Sequence, residues 1–299
     1  MDEDYISAYE YEKNVNPNLA DIPFFVKDVK DCEYGIHMID FSKIFNVQHK
    51  STTPNLLASF IKLEKKEDMV ELNNDCVVEF NATSHMFYII KGTCSIDENT
   101  VQSGDILITP CIASVVKITN CGEEELQIYY VNDSPLVNYL GNKAVKQIFK
   151  TAIYRRDFLV QKLNELSNKH NNRKGILLSN SDTDKLGINT LTPVLWALYN
   201  ELPPNTIQKP HKHNSVALDL CIACGDSDNI YTLIGDKLDE SGNIVNPQKV
   251  HWQEGCMFIT PPGLWHSHNN DGNTFACILP IQDAGLLLYQ RVLGIVLSK

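Results

Sequence analysis

Short hydrophobic runs, separated by turn-forming residues, recur along much of the chain. In the first half they cover residues 57–61, 86–90, 105–109 and 126–131, with Gly92, Gly104, Pro110 and Gly122 between them. Runs of this length bounded by glycine and proline are typical of the strands of a sandwich or barrel. The same pattern resumes from residue 191 to residue 279, so we predict an all-β protein.

Helical spacing replaces this pattern over about residues 154–170. Phe158, Leu159, Leu163 and Leu166 recur there with charged residues between them, which predicts a helix, and the polar run 167–173 is its predicted frayed end. The apolar segment 286–297 is predicted to form a strand or a short helix. Residues 1–50 have weak periodicity and several aromatic side chains, which indicates an arm packed on the body or a partly mobile tail.

One motif occurs twice. Gly104 is followed after five residues by Pro110, Gly255 is followed after five residues by Pro261, and both segments end in Ile-Thr-Pro. Two copies of one β-unit explain this repeat economically. The predicted organisation is an arm over 1–50, a β domain over 51–140, a helical linker over 141–185 and a second β domain over 186–299.

Composition and charge exclude several classes of protein. The chain has 299 residues, of which 43% are hydrophobic and 21% charged, and this is incompatible with disorder as the main state. The formal net charge of -11, without any block of basic residues, argues against nucleic-acid and membrane-surface partners.

The cysteines and the chain termini bear on location. Nine cysteines are scattered without a regular frame, the first five residues are acidic, and the apolar run 284–297 is broken by Gln290 and Arg291. These features predict reduced thiols in a cytoplasmic protein without a spanning segment. Cys221 and Cys224 have redox spacing, but they lie on a predicted strand that offers nothing to lower a thiol pKa.

Histidines provide the candidate chemistry. His211 and His213 are two residues apart, so their side chains point to one face of a strand. His266 opens a strand after the turn at 261–263, and in an antiparallel barrel this strand can lie beside the first pair. Three imidazoles meeting in this way form a metal site, although they do not select among Fe, Cu, Ni and Zn.

These residues resemble the signatures of the cupin superfamily. The pattern Gly-x5-Pro-x-Gly-x2-His-x3-Asn fits positions 255–270, and the first signature fits His211, His213 and Gly225, with Leu218 where a glutamate ligand usually stands. The missing carboxylate and the Trp-His-x-His-x-Asn run resemble gentisate 1,2-dioxygenase and related ring-cleaving bicupins over about residues 191–285. The resemblance implies two jelly-roll cupin domains, of which the second holds Fe(II) through three histidines.

The same residue spacing, applied to the first half of the sequence, identifies a degenerate copy of the two signatures. His85 takes the place of the glutamate, and the places of the three histidines fall to Val78, Phe80 and Val115. Because apolar side chains do not bind metals, we predict a metal-free first cupin in which His85 is a hydrogen-bonded core residue.

Four further residues are predicted to act near the metal. Asp219 lies six residues after His213, where gentisate dioxygenases usually have arginine, and an acid there would repel a carboxylate. Gln208 precedes the histidine pair and is placed to line the pocket. Trp265 flanks the second signature, with barrel packing as the alternative. His268 alternates with His266 and is either an additional ligand, a nearby base or a surface hydrogen-bonding residue.

Three neutral imidazoles leave about three coordination positions open, so an anionic aromatic acid and O₂ could be held side by side. The resemblance therefore implies Fe(II)-dependent ring cleavage of a gentisate-like acid, with Mn, Ni or Zn as other possible metals. Two alternatives stay open, namely a metal cupin acting as an isomerase, lyase or hydrolase, and a non-catalytic ligand-binding bicupin. By analogy with such bicupins, we expect a homodimer or homotetramer.

Overall fold

The structure is a computed structural model and describes residues 6–15, 18–73, 81–111, 115–166 and 173–298. Strands dominate it, which confirms the all-β prediction, and the longest helix has nine residues. In the described ranges no helix has the length and apolar character needed to cross a membrane.

The described residues form twenty-two strands. Those of the first half and the segment after it are β1 (Val26–Asp28), β2 (Gly35–Ile39), β3 (Leu57–Leu63), β4 (Met69–Asn73), β5 (Ser84–Lys91), β6 (Thr93–Ile96), β7 (Asn99–Gln102), β8 (Ile106–Pro110), β9 (Val115–Asn120), β10 (Leu126–Asn132) and β11 (Ala152–Tyr154). Those of the second half are β12 (Lys174–Leu177), β13 (Trp196–Leu202), β14 (Thr206–Ile207), β15 (His211–His213), β16 (Ala217–Cys224), β17 (Ile230–Gly235), β18 (Gln248–His251), β19 (Cys256–Thr260), β20 (Trp265–Asn270), β21 (Ala276–Gln282) and β22 (Ile295–Leu297).

In the same part of the chain, six short helices connect or flank these strands. They are α1 (Tyr11–Asn14), α2 (Ser42–Phe45), α3 (Ser134–Tyr139), α4 (Arg156–Asn164), α5 (Ser181–Lys185) and α6 (Ala284–Tyr289), with a single 3-10 turn at Val29–Asp31. The predicted C-terminal segment therefore contains both a helix, α6, and a strand, β22. The helix predicted over 154–170 is α4, and residues 167–172 of that prediction lie outside the described residues.

The strands form two barrels, each made of two antiparallel sheets, as expected of two cupin domains. The first barrel pairs a six-stranded sheet, in the order β11-β8-β5-β10-β3-β2, with a four-stranded sheet, β4-β9-β6-β7. The second barrel pairs the sheet β1-β19-β16-β21-β13-β12 with the sheet β18-β17-β20-β15-β22, and β14 is added to β20.

Neither the arm nor the linker is a separate body. Within the arm, β1 pairs with β19 of the second barrel, whereas β2 pairs with β3 of the first. Within the linker, β11 extends a sheet of the first barrel and β12 extends a sheet of the second. The predicted helical linker thus contains two short helices, α4 and α5, and two strands, β11 and β12, which complete sheet edges that would otherwise lack partners.

Three hydrophobic clusters follow this layering. One fills the first barrel, one lies inside the second, and the largest joins the outer faces of the two six-stranded sheets. Met86 and Tyr129 of the first barrel meet Leu220 and Met257 of the second in this shared cluster. The cluster within the second barrel is the smallest of the three, because several interior positions there are polar.

The internal repeat is visible in matched turns. The side chain of Asn120 donates to the carbonyl of Glu124 (2.8 Å) and accepts from Gly122 N (3.0 Å). Asn270 bonds in the same way to Thr274 (2.8 Å) and Gly272 (3.0 Å). These asparagines close equivalent turns after β9 and β20, so positions counted back from them give equivalent residues in the two barrels.

Candidate metal centre

Two neighbouring strands bring together the three histidines that the sequence singles out. His211 lies directly opposite His266 in the antiparallel pairing of β15 with β20, and His213 follows on the same face of β15. One ring nitrogen from each lies within 4.8 Å of the other two. The ring centroids of His211 and His266 are 4.0 Å apart, and those of His213 and His266 are 4.9 Å apart.

Backbone carbonyls fix the protons of two of these rings. Nδ1 of His213 lies 2.8 Å from the carbonyl oxygen of Ser215, and Nδ1 of His266 lies 3.2 Å from that of Leu264. Because a carbonyl oxygen only accepts hydrogen bonds, each Nδ1 carries the proton. The Nε2 lone pair of both rings is therefore free to bind a metal ion, with the backbone holding the ring orientation.

Burial keeps the imidazoles neutral. It lowers the pKa of His211, His213 and His266, and for His211 and His266 the neighbouring imidazoles lower the pKa further. Neutral imidazole is the form that ligates a metal, so protons do not compete for the site near pH 7.

Arg173 lies beside the three histidines, and sequence analysis did not identify it. Its Nη2 is 3.0 Å from Nδ1 of His211 and 2.9 Å from the carbonyl oxygen of Lys209, and its Nη1 is 3.1 Å from Oε1 of Gln208. A guanidinium only donates, so Nδ1 of His211 is unprotonated here. The Arg173 charge also lowers the pKa of His211, His266 and His268.

Gln208 thus contacts the arginine. Its side chain is buried, its Oε1 accepts from Arg173, and its backbone N–H donates to the carbonyl of His268 at 3.0 Å. In the described residues, Nε of Arg173 is buried without a hydrogen-bond partner. The site therefore holds a fixed cation with an unused donor.

His268 lies inside the second barrel. It is 4% exposed, which excludes a surface role, and its ring centroid is 5.9 Å from that of His266. Its Nδ1 is 2.8 Å from Oγ1 of Thr232, and burial lowers its pKa to about 3. His268 is not part of the group of three whose ligand atoms converge.

Asp219 and Trp265 do not join the histidines. Asp219 is buried on β16, and its carboxylate accepts from Thr260 Oγ1 at 2.6 Å. Burial raises the pKa of this carboxyl to about 7, against the effect of the Thr260 hydrogen bond. Trp265 precedes His266 on β20 and so faces the opposite side, where Nζ of Lys212 lies 4.9 Å from its ring centroid.

At the described counterpart of His266, the first barrel has an apolar residue. His266 precedes the turn asparagine by four residues, and Val116 does so in the first barrel. Val116 is fully buried whereas Val115 is 40% exposed, so the structure shifts the counterpart predicted from the sequence by one residue. Val78 and Phe80 lie outside the described residues.

His85 is also buried, and its Nδ1 bonds to the hydroxyl of Tyr130 at 2.8 Å. Burial lowers the pKa of His85 to about 3. It is thus a hydrogen-bonded core residue of the first barrel, as the sequence predicts.

The residues present fit a divalent metal ion with nitrogen ligands. His213 and His266 already offer Nε2, and His211 would offer its Nε2 if the ring proton moved to Nδ1, which would require Nδ1 to be free of the hydrogen bond from Arg173. This group contains no carboxylate. A bound ion would keep its full charge next to the guanidinium, so an anionic ligand would meet two positive groups.

Comparison with solved structures identifies the fold. Over 97% of this chain and 91% of the other, the structure matches a variant of salicylate 1,2-dioxygenase from Pseudoaminobacter salicylatoxidans in complex with gentisate, with a TM-score of 0.70 at 10% identity. A second structure of that enzyme matches over 83% of this chain and 76% of the other, with a TM-score of 0.62 at 12% identity.

A more distant similarity is to vicilin from Corylus avellana (hazelnut), with a TM-score of 0.52 at 12% identity over 92% of this chain and 86% of the other. No protein-family model and no curated protein matches the sequence. The chain therefore has a bicupin fold like that of salicylate 1,2-dioxygenase, despite very low sequence identity.

Proposed function

We propose that this protein is an Fe(II)-dependent dioxygenase that cleaves the ring of a small hydroxylated aromatic acid. The observation that carries the proposal is the convergence of His211, His213 and His266, whose ligand nitrogens lie within 4.8 Å of one another inside the second barrel. The protein shares its fold with an enzyme that has been solved in complex with gentisate, and this similarity supports the choice of substrate class.

Bound there, Fe(II) supplies the electrons that O₂ requires, which zinc cannot do. Side chains of the protein itself form the surface that binds the substrate. Arg173 supplies a positive charge beside the histidines, with Nη1, Nη2 and Nε as donors. A guanidinium matches the planar geometry of a carboxylate, so we assign Arg173 to the acid group of the substrate.

Asp219 opposes the attraction between Arg173 and an anionic substrate less than a fully charged carboxylate would. Its pKa is raised to about 7 by burial, so much of its population is uncharged near neutral pH. Its carboxylate is also engaged with Thr260 rather than with the histidines or Arg173. The expected repulsion of an aromatic acid is therefore reduced.

The test is an oxygen-electrode screen of protein loaded with ferrous iron against gentisate, salicylate and related acids. We expect O₂ consumption with at least one of them, and its loss together with iron binding in His213→Ala. The matched control is His251→Ala, because His251 is exposed on β18 and outside the group of three.

Two results would contradict the proposal. One is an iron-loaded protein that consumes no O₂ with any acid of the panel, and the other is full activity in His213→Ala. Turnover supported equally by Zn would instead indicate an isomerase, lyase or hydrolase, since zinc has no redox chemistry.

The partner expected beyond substrate and O₂ is a second copy of the chain. β22 forms one edge of its sheet, and Ile295, Val296 and Leu297 are about half exposed there. An exposed apolar edge strand is a common site of sheet extension. Light scattering of the purified protein tests this, and a monomer at micromolar concentration would contradict it.

A further inference from the structure

A chain of hydrogen bonds leads from the wall of the second barrel to His268. Nε1 of Trp252 donates to Oγ1 of Thr232 at 2.9 Å, and the same oxygen lies 2.8 Å from Nδ1 of His268. All three side chains are buried, and the Trp252 and His268 ring centroids are 5.5 Å apart. Thr232 stands directly opposite His268 in the pairing of β17 with β20.

Only one assignment of donors and acceptors satisfies both hydrogen bonds of this series. Indole N–H only donates, so the Thr232 oxygen accepts from Trp252. In the described residues the hydroxyl proton of Thr232 has one acceptor, Nδ1 of His268. If Nδ1 carried a proton, a buried hydroxyl proton would have no partner, which is unfavourable. The His268 proton therefore sits on Nε2.

His268 thus differs from the two rings held by carbonyls. His213 and His266 carry the proton on Nδ1 and present a bare Nε2, as a metal ligand must. With a proton on Nε2, His268 presents a hydrogen-bond donor instead. The barrel therefore contains imidazoles of both tautomers within a few ångströms, and each tautomer is set by its own partner.

The first barrel shows that the fold does not require this series of hydrogen bonds. Counting from the equivalent glycines and turn asparagines, Val101 takes the place of Trp252 and Ile118 that of His268. In the pairing of β6 with β9, Ile96 stands opposite Ile118, as Thr232 stands opposite His268. All three are buried apolar residues. Among the described residues, this series of hydrogen bonds occurs in the barrel with the histidine group and is replaced by apolar residues in the other, which indicates a role in the chemistry of the histidine site.

We propose that Thr232 and Trp252 are positioning residues that hold His268 as an Nε2–H donor beside the candidate metal centre. The assignment of the tautomer depends on the hydrogen bonds alone. The use of this donor, to bind an oxygen atom of the substrate or of O₂ as it gains negative charge, rests on the proposed function. Under this proposal His268 is neither a further metal ligand nor a general base.

Nitrogen-15 NMR of the metal-free and zinc-loaded protein tests the tautomer, since long-range nitrogen–proton couplings show which ring nitrogen carries hydrogen. His268→Gln assigns the signal. We expect Nε2–H in the wild type and in Thr232→Ser, which keeps the hydroxyl. In Thr232→Val, which copies the branched apolar residue of the first barrel, we expect a mixture of tautomers.

A second set of variants tests the same prediction in case the substitutions at position 232 cause misfolding. Trp252→Phe removes the N–H that orients the Thr232 hydroxyl and should also mix the tautomers, whereas Trp196→Phe should leave them unchanged. Proton on Nδ1 of His268 in the wild type, or an unchanged tautomer in both folded variants, overturns the proposal.

Turnover gives the second readout. With an active acid, Thr232→Val should lower kcat about tenfold with metal content unchanged, while Thr232→Ser stays within about twofold of the wild type. A kcat in Thr232→Val equal to that of the wild type overturns the role assigned to the donor. The expected tautomers without turnover of any acid would support the positioning of His268 and contradict the proposed dioxygenase.

Discussion

Arg173 donates a hydrogen bond from Nη2 to Nδ1 of His211 over 3.0 Å, although His211 is one of three converging candidate ligands. A guanidinium repels a metal cation, yet it attracts an anionic ligand to the same place. Loss of the Arg173 charge should therefore strengthen the binding of the metal and weaken the binding of an anionic ligand, so a single substitution distinguishes the two effects.

Replacing Arg173 by methionine should tighten metal binding and weaken the binding of aromatic acids. Loss of the positive charge removes repulsion and frees Nδ1 of His211, and we expect about tenfold tighter zinc binding, or about 1.4 kcal/mol. Acid binding to the metal-loaded protein should weaken by about tenfold or more. Calorimetry measures both affinities.

The matched control is Arg291→Met, because Arg291 is exposed beyond α6. It should leave both affinities unchanged. Equal affinities for acids in Arg173→Met and the wild type would contradict the role of this guanidinium in ligand binding.

Metal should stabilise the folded protein through the second barrel. Binding to the native state alone raises the free energy of unfolding, by about 2.7 kcal/mol at a hundredfold excess over the dissociation constant. We expect a rise in Tm on adding zinc to the wild type and no rise in His266→Ala. His37→Ala, which changes a residue on β2 of the first barrel, should respond as the wild type does; an equal rise in His266→Ala would place the ion elsewhere.

Asp219 should make stability depend on pH. Its pKa is about 7 in the folded protein because of burial, compared with about 3.9 in an unfolded chain. Between these values the folded state keeps a proton that the unfolded state has lost. The contribution of Asp219 to the free energy of unfolding therefore falls as pH rises from about 4 to about 7, by up to about 1.4 kcal/mol per unit.

Asp219→Asn removes this ionisation and keeps an oxygen that accepts from Thr260. We expect it to be more stable than the wild type at pH 8 by a few kcal/mol, with the difference shrinking toward pH 4. Urea unfolding at several pH values measures this. A constant difference across the range would show that ionisation of Asp219 is not the cause.

A partly buried polar contact joins the two barrels. Nδ2 of Asn55, just before β3, donates to Oδ2 of Asp283 at 2.6 Å, and Oδ1 of Asp283 accepts from Val216 N at 3.1 Å. Asn55→Ala leaves the buried carboxylate with fewer donors and should lower the free energy of unfolding by about 1–3 kcal/mol. Asn229→Ala breaks the exposed bond to Asp226, and we expect an effect below about 0.5 kcal/mol; equal losses in denaturant unfolding would argue against a role for burial.

The strands and the histidine group were predictable because their signals are local. Alternation places His211 and His213 on one face, and the glycine-to-proline turn starts the strand of His266. The repeated glycine-to-proline motif was also visible in the sequence, because Gly104 and Gly255 both have positive φ, at 88° and 82°. Such backbone angles leave a glycine in the sequence at both places.

Arg173 was not predictable in the same way. It follows a polar run and precedes a short strand, and its position next to His211 depends on how β12 joins β13. Thr232 did have a local signal, since it is a polar residue between Ile230 and Ile234 at interior positions of an alternating strand. Trp265 was predicted to lie near the metal because it is adjacent to His266 in the sequence, but adjacent residues of a strand face opposite sides.

The pairing of β1 with β19 has a consequence for biosynthesis. A ribosome makes Val26–Asp28 before almost all of both barrels, but their partner, Cys256–Thr260, emerges only near the end of translation. At roughly 5–20 residues per second, the early strand waits on the order of ten seconds or more. Until then its hydrogen-bonding groups lack their native partner, so this strand can join its sheet only after almost all of the chain has been made.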